Sequence, residues 1–248
     1  MENSGSIYFA SDFHLGLPAG SDPRVREKKV IQWLESIAPT AKEIYLLGDL
    51  FDFWWEYKRV VPKGFTRFLG TIGRITDSGI PVHFFTGNHD MWVKDYFVEE
   101  CGMIIHTEPL FTTFDDKKFL LAHGEGLGSD GVGYKILLSI FRNKFLRVLY
   151  AALHPNTGMV IGLKWSLNSR LGKGITKEFM GEQKEDLLKY VKAVLEKEHV
   201  DYFIFGHRHL AMSYKISESS EVFFLGDWIK HGSYIDWSEG ALTLRMID

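Results

Sequence analysis

Short apolar runs alternate, in the first third of the chain, with longer segments whose apolar positions recur every three or four residues. Residues 7–10 (Ile-Tyr-Phe-Ala) are such a run and predict a strand, and residues 24–37 predict a helix with Val30, Ile31, Leu34 and Ile37 on one face. A second strand is expected at 44–47, a second helix at 65–75 and a third strand at 82–85. Strand–helix–strand order of this kind argues for a parallel sheet joined by right-handed crossovers. Residues 110–114 and 118–122 flank Asp115-Asp116 and predict a tight hairpin. From 124 onward the character changes. Five glycines between 124 and 133 lead into 135–153, a segment of broad apolar surface whose polar positions Lys135, Ser139, Arg142, Asn143 and Arg147 keep helical spacing. Pro155 and Gly158 predict a break, followed by a second, shorter apolar segment and the basic residues Arg170, Lys173 and Lys177. An amphipathic helix is expected at 179–197, then strands at 202–205, 212–216, 222–225 and 242–247. The reading is a single α/β domain over 1–248 with a helical cap insert at 125–177.

Composition narrows the class. At 248 residues and 45% hydrophobic types the chain can bury a sizeable core and is not a disordered or collagen-like protein. Lys and Arg number 29 against 32 Asp and Glu, so no global basic field draws in nucleic acid. Cys101 is the only cysteine, which rules out an intrachain disulfide and a cysteine zinc cluster and makes a reducing compartment the natural expectation. The N-terminal residues lack the basic and apolar regions of a secretory signal. The longest uncharged stretch, 148–163, is broken by His154, Pro155, Asn156 and Gly158 and falls short of the roughly 18 apolar residues of a span. A cytoplasmic protein, soluble or peripheral, is expected.

The chemistry sits where polar residues end apolar runs. Residues 7–10 run into Ser11-Asp12-Phe13-His14, 44–47 into Gly48-Asp49, and 82–85 into Thr86-Gly87-Asn88-His89-Asp90. Residues 119–122 run into His123-Gly124, and 202–205 into Gly206-His207-Arg208-His209. Parallel α/β sheets bind ligands outside the carboxyl ends of their strands, so residues some 200 positions apart can meet there. The i,i+2 spacing of Asp12/His14 and of His207/His209 puts each pair on one face if the backbone stays extended. Asp12, His14, Asp49, Asn88, His123, His207 and His209 form an oxygen and imidazole set that suits manganese, iron or zinc. Seven ligands are too many for one tetrahedral ion and natural for two ions sharing a carboxylate, an arrangement suited to phosphoester hydrolysis. His83 lies inside an apolar strand and reads as a core residue; His106, His154, His199 and His231 have no ligand context.

The ordered motifs D-x-H, G-D, G-N-H-D, H and G-H-x-H, from Asp12 to His209, resemble those of the calcineurin-like metallophosphoesterase superfamily. The resemblance implies a two-sheet α/β sandwich flanked by helices, with a binuclear metal centre. Asp12, His14, Asp49 and His209 would hold one metal, and Asp49, Asn88, His123 and His207 the other, with Asp49 bridging. His89 would stabilise developing charge or protonate the leaving group, with Asp90 orienting it and Asn88 beside it. Within the superfamily, the chain is similar to the UDP-2,3-diacylglucosamine hydrolases of lipid A biosynthesis. The features that carry this are SDFHLG, GDLFDFW, the run through Leu127, Ser129, Asp130 and Tyr134, the helical insert, and FLGDW at 224–228. That branch implies two Mn²⁺ ions, a lipid-linked sugar nucleotide substrate, and action at the inner face of the cytoplasmic membrane. Its products would be UMP and 2,3-diacylglucosamine 1-phosphate. Asp130, Tyr134, Arg170 and Lys173 are the candidate substrate contacts. The best-known members of the branch carry Arg where His89 stands, and general phosphodiesterases carry His.

Apolar positions of the 135–153 segment would serve as an acyl groove or face a membrane, with Arg142, Lys144 and Arg147 on its basic side; a cap helix packed on a core would look the same. Trp54 and Trp55, near Asp49, would line a pocket or pack in the core. Two other functions compete: a soluble metal-dependent phosphodiesterase or phosphatase acting on a small nucleotide or phosphoester, and a non-catalytic scaffold of the same fold. No nucleic acid or obligate protein partner is implied.

Overall fold

The structure, a computed structural model, describes residues 5–18, 22–128, 132–172 and 178–247. Side-chain alternation along the strands decides its layers. In β1 (Ser6–Ala10), Ile7 and Phe9 enter one core while Tyr8 and Ala10 enter another. β1 pairs in parallel with β2 (Ala41–Leu46), which pairs with β3 (Val82–Phe85), and β3 with β4 (Ile104–His106). On the other side β10 (Ser233–Ser238) pairs antiparallel with β1, and β11 (Ala241–Met246) with β10, completing the order β11-β10-β1-β2-β3-β4. The second sheet runs β5 (Leu110–Phe114), β6 (Lys117–Ala122), β7 (Tyr202–Phe205), β9 (Glu221–Leu225), β8 (Ala211–Lys215), with β6, β7 and β9 parallel.

The inner faces of the two sheets meet in one core, where Ile7, Phe9, Tyr45, Leu47 and Phe85 face Phe119, Leu121, Ile204, Phe223 and Leu225. The outer face of the first sheet is covered by α1 (Pro23–Ile37), α2 (Thr66–Asp77) and α3 (Tyr96–Cys101), through Val30, Trp33, Leu34, Phe68, Ile72 and Phe97. That of the second is covered by α7 (Asp186–Leu195), whose Leu187, Leu188 and Val191 pack on Leu120, Phe203, Phe205 and Phe224. Each fully buried side chain of this size contributes roughly 1.5–3 kcal/mol against leaving it in water. The two-sheet sandwich flanked by helices is the expected fold, although its sheets are mixed rather than purely parallel.

Between β6 and α7 stand α4 (Val132–Arg142), α5 (Lys144–Ala151) and α6 (Pro155–Gly172). The single helix expected at 135–153 is two helices. Asn143 breaks it, its side chain accepting from the amides of Phe145 and Leu146 at 2.9 and 3.1 Å as the N-cap of α5. The expected break is present at 152–154, between α5 and α6, and Pro155 and Gly158 lie just after it in the first turn of the longest helix, where proline is tolerated. Gly158 and Gly162 let α6 lie directly on the 53–57 loop: a Cβ there would overlap Tyr57 and Phe53. Phe53, Trp55, Trp92, Phe141, Tyr150 and Trp165 fill that contact. Trp54 packs instead in the core beneath α2 and α3. The helix expected at 179–197 forms only as α7, because the buried Glu185 carboxylate accepts from the Met180 amide at 3.0 Å and holds the preceding turns outside the helix.

Candidate metal centre

Six loops at the carboxyl ends of β1, β2, β3, β6, β7 and β9 converge at one end of the sandwich. Close approach requires glycine: a Cβ on Gly87 would overlap the Asp49 carboxylate, and one on Gly48 would overlap the His123 ring. The extended backbone assumed for D-x-H and H-x-H does not occur. Asp12, His14, Asp49, His207 and His209 have φ of 55°, 45°, 52°, 62° and 52°, in the left-handed region. Each such residue costs about 1–2 kcal/mol, and non-glycine residues held this way concentrate at functional sites. The D-x-H loop is held partly from α1, where buried Arg26 donates to the His14 carbonyl at 2.8 Å and the Leu17 carbonyl at 3.2 Å.

Each donor has one side anchored, which leaves the other for the centre. Asp12 Oδ2 accepts from Ser11 Oγ (2.6 Å) and the His207 amide (3.0 Å), leaving Oδ1 3.3 Å from His209 Nε2 and 3.6 Å from His14 Nε2. Asp49 Oδ1 accepts from the His89 amide (2.9 Å), leaving Oδ2 3.5 Å from His123 Nε2 and 3.7 Å from His14 Nε2. His123 Nδ1 faces the Leu47 carbonyl at 2.7 Å, so that nitrogen carries a proton and Nε2 is the atom left for a metal. His209 Nδ1 lies 3.3 Å from Asp227 Oδ2. Asp12, His14 and His209, and separately Asp12, Asp49 and His123, bring their ligand atoms within 4.8 Å of one another; so do His14, Asp49 and His89. The His207 ring packs edge-on to His123 at 5.2 Å. Asn88 follows β3 on the same edge.

The buried atoms Asp12 Oδ1, Asn88 Oδ1 and His123 Nε2 have no hydrogen-bond partner among the described residues. Burying such groups unsatisfied is costly, and divalent cations at this centre would satisfy them. The donor set is oxygen and imidazole without thiolate, so these residues fit a hard or borderline divalent metal.

The electrostatics point the same way. Burial pushes the Asp12 carboxyl up, against the pull of His209 and His123. Burial also acts to raise Asp49, but His123, His89 and His14 outweigh it and hold that carboxyl well below its usual range. Burial disfavours a charged His123, yet Asp49 and Asp12 lift its pKa well above the ordinary imidazole value. His209 is likewise raised, against burial, by Asp12 and Asp227. A cation must displace these protons. Because the raised pKa values extend the protonated imidazoles to higher pH, metal affinity is expected to fall on acidification beginning above the ordinary histidine range, near 6.5. Calorimetric titration with Mn²⁺ in buffers of different ionisation enthalpy reads the released protons; uptake without proton release at pH 7 contradicts the expectation.

His89 is placed by two contacts. Its Nδ1 lies 2.8 Å from the Asp52 carbonyl and 3.1 Å from Ser166 Oγ of α6, while Nε2 faces Asp49 Oδ2 at 4.0 Å. Ser166, fully buried, also donates to Asp52 Oδ1 at 2.9 Å. Asp90 does not orient the ring as expected. Its carboxylate accepts from the amides of Gly87 (2.7 Å) and Leu50 (2.7 Å) and ties the β2 and β3 loops together. Asp130 and Lys173 lie outside the described residues, and Tyr134 and Arg170 fall in α4 and α6.

Two further participants were missed in the sequence. Asp227 follows Gly226 at the end of β9, repeating the Gly-Asp pattern at β2, and that pattern was the available signal. Burial acts to raise it, but His209 and the Lys230 amide hold it at about 2, a fixed anion behind the His209 ring. His231, read as lacking ligand context, also faces Asp227, at 3.3 Å. Ser166 carried no signal, because its partners are more than 70 residues away. His83, stacked on Tyr45, is nearly buried and satisfied by His106 at 2.9 Å and Glu43 at 3.6 Å, as expected of a structural histidine.

Comparison with known proteins agrees with this geometry. The calcineurin-like phosphoesterase family matches residues 5–211. A UDP-2,3-diacylglucosamine hydrolase of Porphyromonas gingivalis is 39% identical over 98% of this chain and 97% of its own length. One from Histophilus somni is 27% identical over 93% of this chain and 95% of its own. Among solved structures, the Escherichia coli phosphoesterase Yfce aligns at a TM-score of 0.48 and 14% identity, covering 98% of this chain and 97% of that one. The chain therefore belongs to the calcineurin-like phosphoesterase family and is a metal-dependent hydrolase of phosphoester or pyrophosphate bonds.

Proposed function

We propose that the chain hydrolyses the pyrophosphate bond of UDP-2,3-diacylglucosamine, releasing UMP and 2,3-diacylglucosamine 1-phosphate. The relatives bear the name of that activity. The observation that carries the reading for this chain is a cavity of about 320 Å³ beside His89, walled by Phe53, Trp55, Trp92, Ile140, Ile161 and Trp165. The Trp165 ring lies 5.8 Å from that of His89. A carbon-lined cavity against a polar, cation-binding centre suits a substrate with acyl chains next to a diphosphate. The helices that build it act as a cap over 125–177.

Asp12, His14, Asp49 and His209 would hold one divalent ion, and Asp49, Asn88, His123 and His207 the other, both most simply manganese. When bound, such a pair lowers the pKa of a water and offsets charge on the phosphoryl oxygens. A water oxygen would bond to the α-phosphorus and shed a proton to solvent, while the bond from this phosphorus to the bridging oxygen breaks. The bridging oxygen departs with the diacylglucosamine phosphate. His89, its Nδ1 anchored on the Asp52 carbonyl, presents Nε2 to the departing oxygen and recovers its proton from solvent. By the family resemblance, Arg170 and Lys173 would supply cations for the diphosphate, and Asp130 and Tyr134 would contact the sugar phosphate.

No helix among the described residues is long and apolar enough to cross a membrane. The outer surface of the cap exposes Phe145, Val148, Leu149 and Leu153 beside Arg142 and Lys144. An apolar face rimmed with cations suits the anionic inner surface of the cytoplasmic membrane, from which the substrate would be drawn. Purified protein with Mn²⁺ is expected to release UMP from UDP-2,3-diacylglucosamine, and to turn over UDP-glucosamine without acyl chains at least about 100-fold more slowly, as the burial of several methylenes implies. Equal turnover of the two would reject the lipid substrate.

A further inference from the structure

We propose that a second cleft at the centre, between the 124–127 loop and residues 180–187, is the subsite for the nucleoside half of the substrate. The proposal rests on the reading above and extends it. The cleft measures about 260 Å³, near the lower end of small-ligand sites at about 300 Å³. It shares no residue with the apolar cavity. The two meet the centre through different histidines: the apolar cavity through Trp165 beside His89, the second cleft through His207 in its own wall. A third hollow, beside His123, measures only about 80 Å³, too small for a base and a ribose.

The walls divide by chemistry. Leu127 and Met180 offer an apolar surface and a polarisable thioether to the flat face of a base. Asp186, half-buried at the start of α7, offers a carboxylate to the hydroxyls of a ribose. Arg208, the middle residue of the G-H-R-H motif, is fixed by two hydrogen bonds of 2.8 Å to buried Glu185, so this wall is rigid before any ligand arrives. A substrate with acyl chains at one end and a nucleoside at the other has one orientation that matches both cavities. In it the acylated phosphate lies toward His89 and departs from that side, and the α-phosphate stays with the nucleoside near His207.

The test uses the Mn²⁺-loaded protein with bis(p-nitrophenyl) phosphate as reporter and compares inhibition by UMP, ribose 5-phosphate and inorganic phosphate. UMP is expected to bind at least about tenfold more tightly than inorganic phosphate, with ribose 5-phosphate between them. Met180→Trp and Leu127→Trp fill the cleft from opposite walls, and each should bring the ratio of UMP to phosphate inhibition constants close to one. Both should also raise KM for UDP-2,3-diacylglucosamine by about tenfold. The ratio is read rather than the rate, so partial loss of folded protein does not imitate the result. A wild-type protein that binds UMP no better than phosphate overturns the proposal, as do two variants that keep the preference. Should the lipid substrate resist cleavage while the UMP preference exists and vanishes in the variants, the substrate assignment falls and the cleft stands.

Discussion

Asp49→Ala is expected to lose the metal pair and hydrolysis together. The carboxylate is buried, and its Oδ2 lies 3.5–4.0 Å from the Nε2 atoms of His123, His14 and His89, so one oxygen is the common anion for three imidazoles. Changes in groups that merely support a metal ligand typically cost roughly 10–100-fold, and removal of a shared ligand exceeds that. Turnover of a simple phosphodiester should therefore fall by more than about 10³-fold, with metal content dropping in the same preparations. Stability should fall as well. Alanine leaves the buried imidazoles without their shared anion and the His89 amide without its acceptor, so the metal-free variant should melt below metal-free wild type. Metal content and melting read on the same preparations separate loss of function from loss of fold. Asp49→Asn keeps the shape and an oxygen for the His89 amide, bonded at 2.9 Å, but removes the charge, and it should be nearly as inactive. A variant at this position that keeps both ions at full stoichiometry contradicts the shared-ligand role.

Much of this arrangement can be read in the chain because the apolar runs and the residues that end them report two independent pressures. Runs such as 82–85 are hydrophobic because β3 is buried between layers, and the polar residues after them stand where the sheet stops. Burial patterning, however, says little about local hydrogen bonding. The split at Asn143 depends on one side chain capping α5, and the late start of α7 on one buried carboxylate, Glu185, engaged by Arg208. β10 escaped notice because Ser233, Asp236 and Ser238 interrupt it, although Ile235 and Trp237 alternate into the inner core. The left-handed backbone at five donors was invisible for a deeper reason. Spacing fixes which residues are neighbours, whereas φ at Asp12 or His209 is set by contacts with loops from other strands, such as the Asp12 amide on the Gly48 carbonyl at 3.0 Å. The same holds for Ser166, whose value lies wholly in the docking of α6.

His89→Ala should leave both metals bound and lower kcat by about 10²–10⁴-fold, the range for a positioned acid, with KM changing far less. The ring touches the centre without being anchored by it. Its Nδ1 is held by the Asp52 carbonyl and by Ser166, and its Nε2 stands farther from Asp49 than that of His123 or His14 does. Ser166→Ala removes one of those two holds and the hydrogen bond to Asp52 Oδ1, so it should lower kcat by a smaller factor and displace the pH–rate profile, a shift that a purely structural role would not produce. Two roles for His89 remain to be separated, proton donation and charge stabilisation, and leaving-group dependence separates them. A proton matters most when the departing oxygen is basic. The deficit of His89→Ala should thus be largest for alkyl esters, smaller for the diphosphate, and least for p-nitrophenyl esters. A uniform deficit across that series points to charge stabilisation alone, and full activity in the variant removes His89 from the mechanism.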